Sequence, residues 1–358
     1  MYQLMKSVLI KSSALSLLGA GSAMAENLHY SDLMRRAFIT SSSINPESEV
    51  AFRIASERQN QDIVSFCHKL GLSFKKNGWE TDPCGRVKWQ ATMQSGDKNP
   101  LLFVTFGSGH ETTLLLSGVH PDEQTPLPMG FRLARHLLEH PELIKADQQI
   151  VIAPLVNPDG FLRDKAQRTN GRGVDPNRNF FTLDWYEKSL ATWQSARNKS
   201  LPHFPGHFPN SEIETIFQVR LIDEFQPDKI LSIHAPLGFL DYDGPGDQKG
   251  GSLTVTETKA RALAAAISKK SNNYRVVDYS FYPGSLGNFA GNERHIPTVT
   301  LELRTTDADR VDEYWEQFLP GMMQAISYPF KKEIEESRNT QKFYSHYDDF
   351  VLRSKDKS

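Results

Sequence analysis

The sequence is short of the features by which many function classes first declare themselves. Of its 358 residues only two are cysteines, Cys67 and Cys84, too few for a zinc-thiolate site. Neither sign of charge dominates: 41 Lys and Arg stand against 43 Asp and Glu. No global field therefore recruits nucleic acid or an anionic membrane, and a charged ligand must be recognised locally. No apolar run approaches the ~20 residues that a bilayer span requires, so no integral membrane span is expected. Glycine (23) and proline (20) are spread thinly, which excludes collagen-like and low-complexity chains, and 39% hydrophobic residues suffice for a large packed core.

What is present begins with a short leader pattern. Lys6 and Lys11 precede an apolar run, Ala14 to Ala23, that ends in Ala23-Met24-Ala25. Small residues at the first and third positions of that triplet suit a cleavage pocket, so residues 1–25 read as a secretory signal and the mature protein as periplasmic or secreted. In an oxidising compartment Cys67 and Cys84 invite a disulfide closing a small loop. Two buried free thiols are the alternative, because sequence does not supply the Cα separation that decides it.

Residues 26–85 read as an N-terminal extension containing a helix from Glu57 to Leu70, residues 86–330 as one α/β domain, and residues 331–358 as a charged tail. Val87 to Thr92 and Leu101 to Phe106 read as strands, followed by buried-strand runs at Thr113 to Val119, Gln149 to Val156, Lys229 to Ile233 and Thr298 to Leu303. Helical spacing marks Leu127 to Leu138, Ile213 to Phe225, Glu257 to Lys269 and Val311 to Ile326. This rhythm predicts a largely parallel or mixed sheet covered on both faces. Ser211 and Glu214 are spaced as a capping box for the helix that follows. His203 and His207, in a Pro- and Gly-rich loop, read as surface histidines rather than a metal pair.

The chemistry gathers where apolar strands stop. One strand runs into His120-Pro121-Asp122-Glu123, another into His234. In open α/β sheets ligand sites form outside the carboxyl ends of strands, and two histidines with one carboxylate form the ligand set of hydrolytic zinc sites. A third apolar run, Thr298 to Leu303, carries Glu302, an acid costly to bury without a partner. Water at an open metal position would be that partner, with Glu302 as general base; a glutamate facing solvent on an edge strand is the plain alternative. Between these segments, Arg168, Arg172 and Arg178 lie in a Gly- and Asn-broken loop able to present guanidinium forks to a carboxylate or oxyanion. The near-neutral whole and the lack of interleaved aromatics argue against a nucleic-acid loop.

His120-x-x-Glu123, Asn157-Pro158-Asp159-Gly160, Gly173 to Phe180, Ser211-Glu212-x-Glu214-Thr215, Ser232-Ile233-His234 and Thr300 to Arg304 occur in one order over residues 101 to 305. In that order they resemble the zinc metallocarboxypeptidases of the carboxypeptidase A type. The resemblance implies an α/β fold with a mixed, eight-stranded sheet sandwiched between helices. It implies one Zn2+ per chain on His120, Glu123 and His234, with Glu302 as general base and acid. Arg168, with Arg172 close enough to compete, looks like the arginine that holds the oxyanion. Asn177 and Arg178 look like the pair that grips the substrate carboxylate. Either Tyr279 or Tyr282 is similar to the tyrosine that closes over substrate; a packed aromatic is the alternative for each.

His234-Ala235-Pro236-Leu237, Tyr282 to Gly287 and the acid Asp122 resemble the bacterial branch containing the murein peptide amidases. Those enzymes cut the γ-D-glutamyl to meso-diaminopimelate bond of peptidoglycan stem peptides. On this resemblance Asp122 answers a substrate amino group, or else serves as a supporting carboxylate near the zinc histidines. With an export signal, the expected activity is trimming of stem tripeptides to dipeptides. Two rivals follow. One is an exported carboxypeptidase of ordinary C-termini, with Leu286 selecting an apolar residue; the other is a non-catalytic binder of wall peptides.

Overall fold

The computed structural model describes residues 46–195, 201–244 and 255–330. The expected leader (1–25), most of the polar stretch after it and the charged tail (331–358) lie outside the described residues. The chain divides into two units, Met1–Glu57 and Arg58–Ser358, and the sheet and the candidate site belong to the second.

Seven strands among the described residues form one mixed sheet: β1 (Val104–Gly107), β2 (Glu111–Leu116), β3 (Gln148–Ala153), β4 (Lys229–His234), β5 (Phe239–Asp243), β6 (Val276–Val277) and β7 (Thr298–Glu302). Their order is β1-β3-β2-β4-β7-β5-β6. The inner strands β3, β2, β4 and β7 are parallel, while β1 and β5 run antiparallel to β3 and β7. Parallel strands are covered on both faces and so read as continuous apolar runs. Every residue of β4 is accordingly buried.

The sheet has one strand fewer than the eight expected. Val87 to Thr92 forms no strand and contributes an isolated bridge, Gln90 to Phe103. The alternation in that run is real, but its apolar residues turn to a helix surface instead of a sheet. Trp89 packs edge-on to Phe131 at 5.4 Å and donates its indole N–H to the Cys84 carbonyl.

The described residues include five long helices: α1 (Pro46–Lys76), α2 (Pro126–Glu139), α3 (Ile213–Phe225), α4 (Val255–Lys270) and α5 (Val311–Ser327); α2 to α5 and α1 from Arg58 onward flank the sheet. Strand alternation sorts the core into two layers. Leu115, Ile150, Ile152, Leu231, Ile233, Val299 and Leu301 meet side chains of α1, α2, α4 and α5. Leu114, Leu116, Val151, Ala153 and Ile230 face Phe217, Leu221 and Ile222 of α3 on the other side. From residue 58 onward the expected N-terminal extension is part of this body. Phe66, Leu70, Phe74 and Trp79 are buried in the first layer, and a Cys67–Cys84 disulfide with a Cα separation of 5.8 Å ties α1 to the segment that follows it.

The capping box does not form. The N-cap of α3 is Glu212, without a side-chain cap. Asn179 Oδ1 takes the Glu212 amide at 3.0 Å, and Ser211 Oγ donates to Glu212 Oε1 at 2.6 Å. Glu214 is drawn to Asn170, whose Nδ2 donates to Oε2 of both Glu212 and Glu214 at 2.7 Å. The two acids hold the arginine-bearing loop instead of the helix end.

Candidate functional site

The adjacent parallel strands β2, β4 and β7 deliver the site at their carboxyl ends. After β2 the chain must turn sharply, and it does so at Gly118 (φ +61°), where a Cβ would lie 2.8 Å from Leu155 Cδ1. His120 and Glu123 then share one turn, closed by the Glu123 amide on the His120 carbonyl, so both side chains point the same way. Asp122, inside that turn, is exposed, and the charges of His120, Glu123 and Arg168 still act on its carboxyl. β4 ends in His234, whose register partner on β7 is Glu302.

His120, Glu123 and His234 are buried, and one ligand atom from each lies within 4.8 Å of the others. His120 Nδ1 is 2.9 Å from Glu123 Oε1 and 3.1 Å from His234 Nδ1, which is 3.0 Å from Glu123 Oε2. The outer nitrogens are engaged elsewhere: His120 Nε2 with Asp175 Oδ1 at 2.9 Å, and His234 Nε2 with Ser232 Oγ at 3.0 Å. Asp175 accepts the N–H of His120 Nε2, so that with a metal ion between the ligands the Nδ1 lone pair would be the one offered inward. Two converging imidazole nitrogens and a carboxylate fit a tetrahedral zinc ion with one position open.

Arg168 stands beside this group. Its Nε donates to Asp175 Oδ2 at 2.8 Å and its Nη1 to Glu123 Oε1 at 3.0 Å. Burial pushes the Glu123 carboxyl up, but His120 and His234 outweigh it and hold the group below the ordinary range. Burial likewise opposes ionisation of Asp175, and Arg168 with His120 overcomes it, leaving the group well below its usual value. Glu302 is shifted the other way, upward, chiefly by burial, and its Oε2 accepts the Leu237 amide at 3.3 Å.

A cavity of about 310 Å³ opens over these groups, and His120, Glu123, His234, Glu302, Arg168, Asn177, Arg178, Tyr279 and Tyr282 all line it. Three residues named from sequence, Asp122, Arg172 and Leu286, do not. Asp122 and Arg172 are exposed, and Arg172 Nη1 lies 3.6 Å from Glu212 Oε1. Asn177 Oδ1 accepts the Leu286 amide at 2.7 Å, which leaves its Nδ2 for a ligand. Arg178 makes no ion pair among the described residues; its Nη1 donates to the Asn177 carbonyl at 2.7 Å and its guanidinium lies 4.3 Å from the Tyr282 ring centroid. Tyr279 packs on Phe239 at 5.3 Å and hydrogen-bonds Tyr282. His203 is exposed at the cavity edge. Leu286 lies in the second core layer and does not line the cavity.

Four site residues were not singled out from the sequence. Asp175 and Ser232 stood inside quoted motifs without a role, although an acid in a buried Gly-Val-Asp-Pro turn signals a partner. Asp241 and Asp243 also line the cavity. Their alternation in Phe239-Leu240-Asp241-Tyr242-Asp243 was the available sign of a strand with an acidic face.

Comparison with known proteins bears on this geometry. The sequence model of the family described as zinc carboxypeptidase matches residues 85–321. The chain is 33% identical over 217 residues to murein peptide amidase A of Escherichia coli K12, covering 60% of this chain and 80% of the relative. Among solved structures it resembles a murein-tripeptide amidase from Escherichia coli O157, with TM-score 0.50, 22% identity, and coverage of 70% and 96% of the two chains. It also resembles carboxypeptidase A from Helicoverpa armigera, with TM-score 0.54, 18% identity and 67% of each chain. At such identities the structural likenesses establish the fold.

Proposed function

This chain belongs to the zinc carboxypeptidase family, and from that premise we propose that it is an exported hydrolase of peptidoglycan stem peptides. The bond cut is the γ-D-glutamyl to meso-diaminopimelate amide, so a tripeptide stem becomes a dipeptide. The observation that carries the reaction is one cavity holding the His120-Glu123-His234 donor set, the raised Glu302 and Arg178, which has no ion pair among the described residues. Support for the wall substrate comes from the relative named murein peptide amidase A, most of whose length the chain covers. Support for export comes from the leader pattern of residues 1–25 and from the disulfide, a bond that persists in oxidising compartments.

Zinc held by His120, Glu123 and His234 supplies Lewis acidity toward the scissile carbonyl and toward water. Glu302 takes a proton from the attacking water on its carboxylate and hands it to the leaving amine nitrogen. Its raised affinity for protons suits a group that must hold one between the two transfers. Arg168 has donors left over after binding Asp175 and Glu123 and offers them to the developing oxyanion; losing one such donor costs about 3 to 4 kcal/mol of barrier. Asn177 Nδ2 and Arg178 bind the carboxylate next to the scissile bond and so fix the amide over the metal ligands. The Tyr282 ring lies 4.3 Å from the Arg178 guanidinium and favours its charge by a cation–π contact.

Mass spectrometry of products tests the reading. The zinc-loaded protein is expected to release diaminopimelate from L-Ala-γ-D-Glu-meso-diaminopimelate and to leave a panel of ordinary peptides intact. Release of ordinary C-terminal residues with the tripeptide untouched would overturn it in favour of a general carboxypeptidase. No product from either would favour a binding protein. Sequencing of the periplasmic protein is expected to begin at Glu26; an unprocessed cytoplasmic chain would refute export.

A further inference from the structure

The register of β5 against β7 lays out a graded surface across the cavity wall. Phe239 faces Glu302, Asp241 faces Thr300 and Asp243 faces Thr298 across the antiparallel pair. Residues two apart share a face, so Asp241 stands ~7 Å and Asp243 ~14 Å along the ribbon from the level of Glu302. Phe239, Asp241, Asp243, Thr300 and Glu302 all line the cavity, the mark of that shared face.

Both acids are buried, with no cation paired to them among the described residues. Asp241 is 8% exposed and Asp243 7%. Asp241 Oδ1 takes the amides of Tyr242 and Tyr279, both at 2.9 Å, while no protein donor among the described residues reaches its Oδ2. Asp243 has no hydrogen bond or ion pair from its side chain among the described residues. The wall against it is cut back to glycine: a Cβ on Gly287 would stand 2.2 Å from Asp243 Oδ2, and one on Gly291 2.6 Å from its Cβ. Burial of an unpaired carboxylate is unfavourable, and it pushes both groups upward in pKa, Asp241 to about 7, with neighbouring acids adding to the shift.

We infer that Asp241 and Asp243 are specificity residues that receive the ammonium group at the end of the leaving residue's side chain. With the scissile amide beside Glu302, a side chain of the length of lysine's or diaminopimelate's runs along the β5–β7 face toward both carboxylates. An ammonium offers three donors, enough for Asp241 Oδ2 and an oxygen of Asp243. The acids thus take the part that one of the two readings of Asp122 gave to that residue. The inference rests on the peptidase reading for the reaction, and it concerns only the released residue.

Matched substrates ending in lysine or in norleucine, which lacks only the amine, test it on two acyl groups, γ-D-glutamyl and an ordinary L-peptide. Whichever acyl group is accepted, the wild type is expected to favour lysine at least 30-fold in kcat/KM. Asp241→Asn and Asp243→Asn should each cut that ratio at least tenfold. Equal turnover of the two leaving residues, or a ratio that survives both substitutions, would overturn the inference. Binding of free lysine and norleucine to the zinc-loaded wild type, by calorimetry, reads the same preference without a variant; equal affinity would also overturn it. Rejection of γ-D-glutamyl substrates with lysine still preferred on L-peptides would refute the wall-peptide reading and leave this one standing.

Discussion

At the scale of single residues, the chemistry depends on how Glu302 differs from Glu123. Both are carboxylates at the same strand ends. Glu123 lies between two histidines that hold it ionised, whereas at Glu302 burial outweighs the pull of His234 and raises the group. One therefore suits a ligand and the other a proton carrier. Glu302→Gln is expected to keep one zinc per chain, by elemental analysis, and to lose ~10²- to 10⁴-fold in kcat. Turnover close to wild type in that variant would remove the proton role. The metal donors were legible in the sequence because His-x-x-Glu and a histidine closing an apolar strand are local patterns. Asp122 was named from the resemblance with two roles open; it lies in the same turn, exposed, with His120, Glu123 and Arg168 acting on its carboxyl. Asp241 and Asp243 were missed because their strand is short and their acids, by composition alone, suggest a loop.

At the scale of elements, the parallel strands and the helices between them were legible because full burial writes itself as apolar runs and 3.6-residue spacing. α3 was expected at the residues where it lies. It starts near Glu212 as expected, but without the capping box, because Ser211 and Glu214 have other partners. The missing box has a measurable counterpart. Glu214 is buried (1% exposed), and its pKa is raised to about 7, by burial first, against the hydrogen bond from Asn170. Its unfolded value is near 4.5, so between those two values the folded state holds a proton that the unfolded chain has released. Stability from this group is therefore complete below the unfolded value and is lost as pH rises toward 7, by about 3 kcal/mol at most. Glu214→Gln is expected to flatten that decline, so that its urea midpoint gains on wild type from pH 5 to pH 7.5. A constant difference across that range would show that Glu214 stays ionised in the folded protein.

At the scale of the whole molecule, the site is a product of sheet order. His120 follows β2 and His234 closes β4, which pair directly although the two histidines are 114 positions apart. Glu302 joins them because β7 is the next strand over. Strand–helix alternation in the sequence predicts a sheet of this kind but not which strands are neighbours; that order follows from crossover packing, which no local pattern encodes. A metal site assembled from such distant segments does not exist in the unfolded chain, so metal binding and folding are linked. Zinc at 100 times its dissociation constant adds about 2.7 kcal/mol to the folded state. For a body of this size that is a shift of several degrees in melting temperature. Chelation is expected to lower the Tm by that amount, and added zinc to restore it, while His234→Ala melts at the same temperature with or without the metal. A wild-type Tm indifferent to zinc would mean that His120, Glu123 and His234 do not bind the ion as one site.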